Sequence, residues 1–321
     1  MKLSIVLEWE NAVLSELKRT ESLLYQIFLQ GKNSNQEIEL IILHNSQLVK
    51  EDFIIDFLNK PLEKVGGINS LEFEIKIEDV KDAHYYELKN RGVEIATGNV
   101  IIVVDSDIIP DSNWLESLIN SHLQYPDAVI GGLTSIDHSD IIGKSFALGW
   151  FFPIQKNQIG LLKTNQISAN NYIAKRELLL ATGYQEMAEG MTRGACEILW
   201  KNLHKKGISI YRNLEARATH PYPNGFVHFF NRGMAEGRDA LFLIEESRKN
   251  EINSTFQLFK EYGLRCKKVV KNTFNEKKHV GLKSWQIPVV LGVMLSYYQL
   301  YLLGGLIAKI SPDYSRRSWQ I

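Results

Sequence analysis

The stretch Val100-Ile101-Ile102-Val103-Val104-Asp105-Ser106-Asp107 decides the fold. Five consecutive β-branched residues with no polar position among them read as a central strand buried on both faces. Two carboxylates one residue apart follow at once. In open α/β sheets, ligands bind beyond the carboxyl ends of the strands, so Asp105 and Asp107 stand where chemistry is expected. A hard dication such as Mg2+ or Mn2+ takes oxygen ligands, often one or two carboxylates together with substrate phosphates. Such an ion stabilises charge developing on a departing diphosphate. The plainer alternative is a solvated strand–helix turn, and the apolar run directly before the carboxylates weighs against it.

Working outward, residues 3–7 read as a short buried strand and residues 12–30 follow helical spacing. Residues 38–43 form a second strand that ends at His44-Asn45-Ser46, and residues 50–59 a short helix. Residues 71–77 alternate strictly, as a strand with one polar face does. Residues 83–96 are helical, with Gly98 as the expected C-cap. Beyond Asp107, Asp111 or Ser112 is placed to cap a helix bearing Trp114, Leu115, Leu118 and Ile119 on its apolar side. Strands are expected near 129–134 and 208–214, and helices at 175–182, 195–206 and 227–246. Strands alternating with helices argue for βαβ units, hence an α/β fold with a mostly parallel sheet and helices on both faces.

With 321 residues, 45% of them hydrophobic and 23% charged, the chain has the profile of a folded protein, one large α/β domain plus an appendage. Lys+Arg and Asp+Glu are equal at 37 each, which gives no support to a nucleic-acid partner. The two cysteines, Cys196 and Cys266, match no zinc or redox spacing, so a reducing cytoplasm is the expectation. Residues 3–7 are too short for the apolar core of a secretory signal. Residues 285–308 carry no charge and reach the length of a membrane span, about 20 residues. Residues 249–283 before them hold nine Lys or Arg against three Glu, as a flank facing anionic lipid would. Tyr297, Tyr298 and Tyr301 fall mid-run, Gly304-Gly305 could end or bend a helix, and basic residues lie on both sides. An interfacial or re-entrant hairpin at the cytoplasmic face of a membrane therefore reads better than a single span. A helix buried against the protein is the third alternative.

Four stretches together resemble the inverting family 2 glycosyltransferases of the GT-A fold. Leu88-Lys89-Asn90-Arg91-Gly92, followed by Gly98, the apolar strand and Asp105-Ser106-Asp107, resembles that family's basic-Asn-x-Gly and Asp-x-Asp. The first strand followed by Asn11 resembles its opening strand-loop. Asn171-Tyr172-Ile173-Ala174-Lys175-Arg176-Glu177 with Gly183-Tyr184-Gln185-Glu186 resembles its acceptor-side element. Leu203-His204-Lys205-Lys206-Gly207, leading to His220, resembles its helix-Gly-strand. These cover residues 1–222.

The resemblance implies a nucleotide-diphosphate sugar donor, hexosyl transfer with inversion, and a glycan or lipid-linked acceptor. It places Glu8, Asn11, Asn45, Lys89, Asn90, Asp105 and Ser106 around the nucleotide. It makes Asp105, Asp107 and His220 the contacts of Mn2+ or Mg2+. It implies a GT-A domain at 1–225 (nucleotide half 1–110, acceptor half 111–225), to which the charge and hydropathy pattern adds a basic helical extension at 226–284, the apolar segment 285–308 and a tail at 309–321.

The chain also departs from the family. The loop after the second strand is His44-Asn45-Ser46-Gln47 in place of Asp-Asp-Gly-Ser, leaving the Asn45 amide to meet a base edge. Trp9 could stack on the base or pack inside. The family's acidic pair falls on Ala195-Cys196. The proton acceptor that an inverting transfer requires is then expected at Glu197, with Glu186 and Glu189 as alternatives. Arg232 and Arg238 could grip a diphosphate or lie on a solvated helix face. Two other classes compete: a non-catalytic glycan- or nucleotide-binding relative, motivated by Ala195-Cys196, and a phosphohydrolase using Asp105 as nucleophile.

Overall fold

The computed structural model describes residues 1–185, 194–247 and 254–319. In chain order the elements begin with β1 (Lys2–Glu8), α1 (Glu10–Leu14), α2 (Leu17–Lys32), β2 (Glu37–His44) and α3 (Glu51–Lys64). They continue with β3 (Glu74–Asp79), α4 (Tyr85–Ile95), β4 (Val100–Asp105), β5 (Ile109–Pro110), α5 (Trp114–Gln124) and β6 (Val129–Ile136). Then come α6 (Ile141–Gly149), β7 (Leu161–Lys163), β8 (Asn171–Lys175), α7 (Arg176–Thr182), α8 (Ala195–Lys205) and β9 (Ile210–His220). Four helices end the chain: α9 (Gly225–Ser247), α10 (Ser254–Asn275), α11 (Ile287–Ile310) and α12 (Pro312–Arg317).

One sheet runs β3-β2-β1-β4-β8-β6-β9-β5, with β7 beside β9. The four strands up to β4 are parallel. After β4, the pairs β4–β8, β6–β8, β5–β9 and β7–β9 are antiparallel. Every residue of β4 and all but the first residues of β1 and β2 are buried, the pattern of strands covered on both faces. β3, at the edge, is only half-buried, and its alternation reflects that position. Register sets the site: Glu8 at the end of β1 lies opposite Asp105 at the end of β4.

The loop that feeds β4 is fastened from beneath. Glu39 is buried; it accepts from the Ser4 hydroxyl, from the backbone N–H of Thr97 (2.6 Å) and Gly98 (3.1 Å), and from the Lys76 ammonium (2.7 Å). Burial alone would raise this carboxyl, but Lys76, Ser4 and Thr97 outweigh it and bring it to about 2. Gly98 is therefore not the C-cap, a place held by Ala96. A side chain at Gly98 would meet the Ser4 backbone nitrogen at 2.8 Å, so the glycine serves close packing under β1. Likewise the expected caps Asp111 and Ser112 give way to Asn113, which makes no side-chain cap bond. The single helix expected over 12–30 is broken at Ser15, whose extended backbone separates α1 from α2.

The contacts divide the chain into two units. Among the described residues, the first comprises 1–134, 157–185 and 195–220, and the second 135–156, 194, 221–247 and 254–319. The second thus takes α6 from mid-chain, which a boundary read along the sequence at 225 does not do. Its core gathers Phe146, Trp150, Leu258, Val269, Met294, Tyr297, Tyr298 and Tyr301.

Among the described residues, one helical stretch, Ser284–Ile310, is long and apolar enough to cross a membrane by length and composition. The hairpin expected there is not formed: α11 is one unbroken helix. Gly304 and Gly305 do not bend it, because they are where α9 passes. A Cβ at Gly304 would strike the Met234 carbonyl, and one at Gly237 would strike the Tyr301 carbonyl. The mid-run tyrosines face inward, with the Tyr298 hydroxyl donating to the Gly149 carbonyl (2.5 Å) and Tyr301 to Glu261 (3.2 Å). Arg238 is fully buried; it pairs with Asp239 at 2.7 Å and donates to the Ser315 and Ser318 carbonyls. Arg232 lies over the Trp150 ring and beside Glu236. Both arginines are occupied inside the second unit.

Candidate active site

The site is built at the carboxyl ends of β1 and β4 and the loop after β4. Asp105 is buried, and both of its carboxylate oxygens are engaged. The Lys89 ammonium donates to Oδ1 at 2.5 Å, and the Tyr85 hydroxyl (2.5 Å) and the Asn11 amide (3.4 Å) donate to Oδ2. Lys89 also donates to the Ala169 carbonyl at 3.0 Å and lies 3.7 Å from the Tyr85 ring centre. Tyr85 and Lys89 are four residues apart on α4, so one helix face delivers both to the same carboxylate. Gly92, one turn on, lets α4 settle on the sheet, since a Cβ there would strike Val6 and come within 2.9 Å of Leu43. The basic-Asn-x-Gly stretch thus has a local physical reading.

Asn90 serves a different end. Its amide donates to the Tyr184 carbonyl (2.7 Å) and accepts from the Tyr184 N–H (2.9 Å), clamping the loop after α7 to α4. Glu8 is buried beside Asp105. It accepts from the Asn11 N–H and amide, both at 3.0 Å, and from the Ser106 N–H at 3.2 Å. Burial pushes the Glu8 carboxyl well above its ordinary value; Asp105 adds to this and Lys89 opposes it. Burial also raises Asp105, against the pull of Lys89. One ammonium therefore serves two buried carboxyl groups.

Asp107 lies near enough to that cluster for its charge to raise the carboxyls of Asp105 and Glu8. Its Oδ2 lies 3.5 Å from Nε2 of His220, the last residue of β9. Arg19 of α2, which is buried, holds this arrangement in place. Its Nε donates to the Asp107 carbonyl at 2.8 Å, and its Nη2 to the carbonyl (2.8 Å) and hydroxyl (3.1 Å) of Thr219. The carboxylate and imidazole are thus set by an arginine joined to the backbone next to each.

Sequence reading placed Glu8, Asn11, Lys89, Asp105 and Ser106 here, and the structure brings all five into one hydrogen-bonded cluster. It brings Asp107 and His220 together as a pair next to that cluster. Asn45 is buried in its own loop, donating to the Ala83 carbonyl (3.2 Å) and accepting from the Gln47 N–H (3.0 Å). Trp9 is wholly buried, edge-on to Phe57. Glu197, in the first turn of α8, is half-exposed and paired with Lys201 at 2.8 Å. Its neighbour Cys196 faces inward, its thiol pushed up by burial and opposed by a hydrogen bond with Tyr86. Glu186 and Glu189 lie outside the described residues. Sequence reasoning missed Arg19 and Tyr85. Arg19 had one signal, a charged residue one turn before Leu23 on the apolar stripe of α2.

Among the described residues, no group of three or more His, Cys, Asp and Glu is placed to hold a metal ion. The pair Asp107–His220 supplies one carboxylate and one imidazole, both donors that Mn2+ accepts, and would leave the remaining coordination to phosphate oxygens and water. The residues present fit a cation bound jointly with a diphosphate.

Four parallel strands, then antiparallel ones, with an Asp-x-Asp at the end of the central strand, define a GT-A type of α/β fold. Residues 77–172 match the family model described as Glycosyl transferase family 2, which bears out the resemblance read from the motifs. Among solved structures, the chain is similar to the mannosyltransferase PcManGT from Pyrobaculum calidifontis in complex with GDP-Man and Mn2+. Identity is 10%, the TM-score 0.54, and the match covers 97% of this chain and 87% of that one. S. aureus TarS 1–349 in complex with UDP-GlcNAc matches at 14% identity and a TM-score of 0.48, over 97% of this chain and 92% of that one. No curated protein matches the chain in sequence.

Proposed function

We propose that the chain is an inverting glycosyltransferase that moves a hexosyl group from a nucleoside-diphosphate donor to a glycan or lipid-linked acceptor at the cytoplasmic face of a membrane. The observation that carries this reading is the Asp107–His220 pair, set by Arg19 at the mouth of the sheet within a chain segment of family 2 type. Asp107 and His220 would hold the Mn2+ or Mg2+, which when bound offsets charge on the departing diphosphate. Glu8, Asn11, Lys89 and Asp105 form the rigid floor on which a nucleotide would rest. With Lys89 spent on Asp105, the cluster offers the incoming diphosphate no free carboxylate to repel it. Glu197 is the proposed proton acceptor. Its partner Lys201 is a surface i,i+4 neighbour, and such pairs are worth only ~0.3–0.5 kcal/mol, so the carboxylate can leave it to meet an acceptor hydroxyl.

The test is thermal unfolding with GDP and UDP, each with and without Mn2+, on the protein and on Asp107→Ala. Ligand at about 100 times its dissociation constant adds ~2.7 kcal/mol to the native state. We expect metal-dependent stabilisation in the parent and its loss in the variant. Stabilisation equally metal-dependent in both would remove Asp107 from the site. No stabilisation by either nucleotide, together with no sugar release from GDP- or UDP-sugars, would sink the proposal.

A further inference from the structure

The exposed face of α10 sets basic side chains beside aromatic ones. The helix carries Lys260, Arg265, Lys267, Lys268 and Lys271 against the single carboxylate Glu261, in a chain whose formal net charge is zero. Its buried side is Leu258, Val269 and Thr273. Its outer side shows Phe256 (65% exposed) and Phe274 (55%), with Phe259 and Val270 also exposed. At 100° per residue, Phe256, Gly263, Lys267 and Phe274 fall along one line of the helix. Phe259 and Val270 flank that line on one side, and Lys260 and Lys271 on the other. Arg265 and Lys268, with Glu261 as the one carboxylate, line a cleft of about 330 Å3 at the flank of the same helix, shared with Trp150, Phe151 and Tyr298.

We infer that this face of α10 docks on an anionic lipid bilayer, its phenylalanines entering the headgroup boundary and its lysines meeting the lipid phosphates. Exposed aromatic residues beside a lysine row are the chemistry of a helix lying in a membrane interface. The positive charge selects an anionic surface and disfavours a second copy of the same face, because an isologous pairing would set lysine rows against each other. The inference deepens the membrane reading given above and moves it from α11, whose tyrosine face is spent on the core of its own unit, to α10.

The test is co-sedimentation of the full chain with vesicles of phosphatidylcholine, with and without phosphatidylglycerol. Four forms are compared: the parent, Lys260→Gln/Lys267→Gln/Lys271→Gln, Phe256→Ser/Phe274→Ser, and the α11 control Val289→Ser/Leu303→Ser. We expect binding only to anionic vesicles. Each lysine contributes roughly fivefold, so the triple variant should lose about a hundredfold. The phenylalanine variant should weaken binding to the same vesicles, and the α11 control should bind as the parent does. Loss in the α11 control but not in the α10 variants would overturn the inference and leave the membrane reading standing on α11. No vesicle binding by the parent would overturn both, while nucleotide-dependent stabilisation would still report on the glycosyltransferase reading. A dimer in solution that the phenylalanine variant dissociates would show a second copy on this face and overturn the inference.

Discussion

Replacing Lys89 by Met removes the one cation from a buried cluster of two carboxyl groups, Asp105 and Glu8. The thioether keeps most of the volume, so the cavity contribution is small. Removing one partner of a buried ion pair costs about 3–5 kcal/mol, because the other charge stays desolvated. Here the cost must depend on pH. Burial already raises Asp105, and without Lys89 it rises further. A carboxyl whose folded pKa lies above its unfolded value is unpenalised below the unfolded value, near 4. It loses stability as pH climbs to the folded value, by at most about 1.4 kcal/mol per unit. The variant should therefore lie close to the parent near pH 4 and fall behind it steadily towards pH 8. Urea unfolding of both proteins across that range gives the difference directly. The double variant Lys89→Met/Asp105→Asn should recover much of the loss, since it leaves one buried carboxyl in place of two. A loss under about 1 kcal/mol that does not change with pH, or no recovery in the double variant, would refute the view that Lys89 is the charge that holds this cluster together.

Glu197→Gln should leave nucleotide stabilisation intact and lower transfer by roughly 10²–10⁴-fold; near-parental turnover would move the role to Glu186 or Glu189. Glu39→Gln should cost about 3 kcal/mol at pH 7, because a carboxyl lowered to about 2 contributes stability above its unfolded value near 4.5 and loses it as pH falls through 2. Acid unfolding measures this, and a penalty that persists unchanged at pH 2 would contradict it. Gly237→Ala should lower the melting temperature through the clash with the Tyr301 carbonyl while leaving nucleotide affinity of the folded protein unchanged; a melting temperature equal to the parent's would show that α9 and α11 can part at no cost.

The parallel half of the fold could be read because its signals are local. Five β-branched residues name β4, and the carboxylates that follow it name the mouth of the sheet. Lys89-Asn90-x-Gly92 was visible as a motif, yet its division of labour was not: Lys89 turns to Asp105, Asn90 to Tyr184, and Gly92 clears the sheet. Those roles depend on which helix face meets which strand. Arg19 was out of reach for a stronger reason, since its partners lie 88 and 200 residues away. The glycines of α11 misled because glycine weakens a helix and also admits a neighbour, and only the presence of α9 decides between the two. Glu197 shows the limit of counting along a helix: one residue separates the inward Cys196 from a side chain paired with Lys201 at the surface.

The span of Arg19 has a consequence for how the site can come into being. Its guanidinium ties residue 107 to residue 219, and the histidine that completes the pair is the very next residue. A nascent chain can lay down all four parallel strands and both aspartates long before β9 exists. Until then Asp107 has no His220 and the loop after β4 has no anchor at its far side. A fragment that ends before β9 lacks Thr219 and His220, so it would hold Asp107 without its imidazole neighbour and Arg19 without its second anchor. The pairing of Asp107 with His220 arrives only with β9, and the earlier strands wait for it.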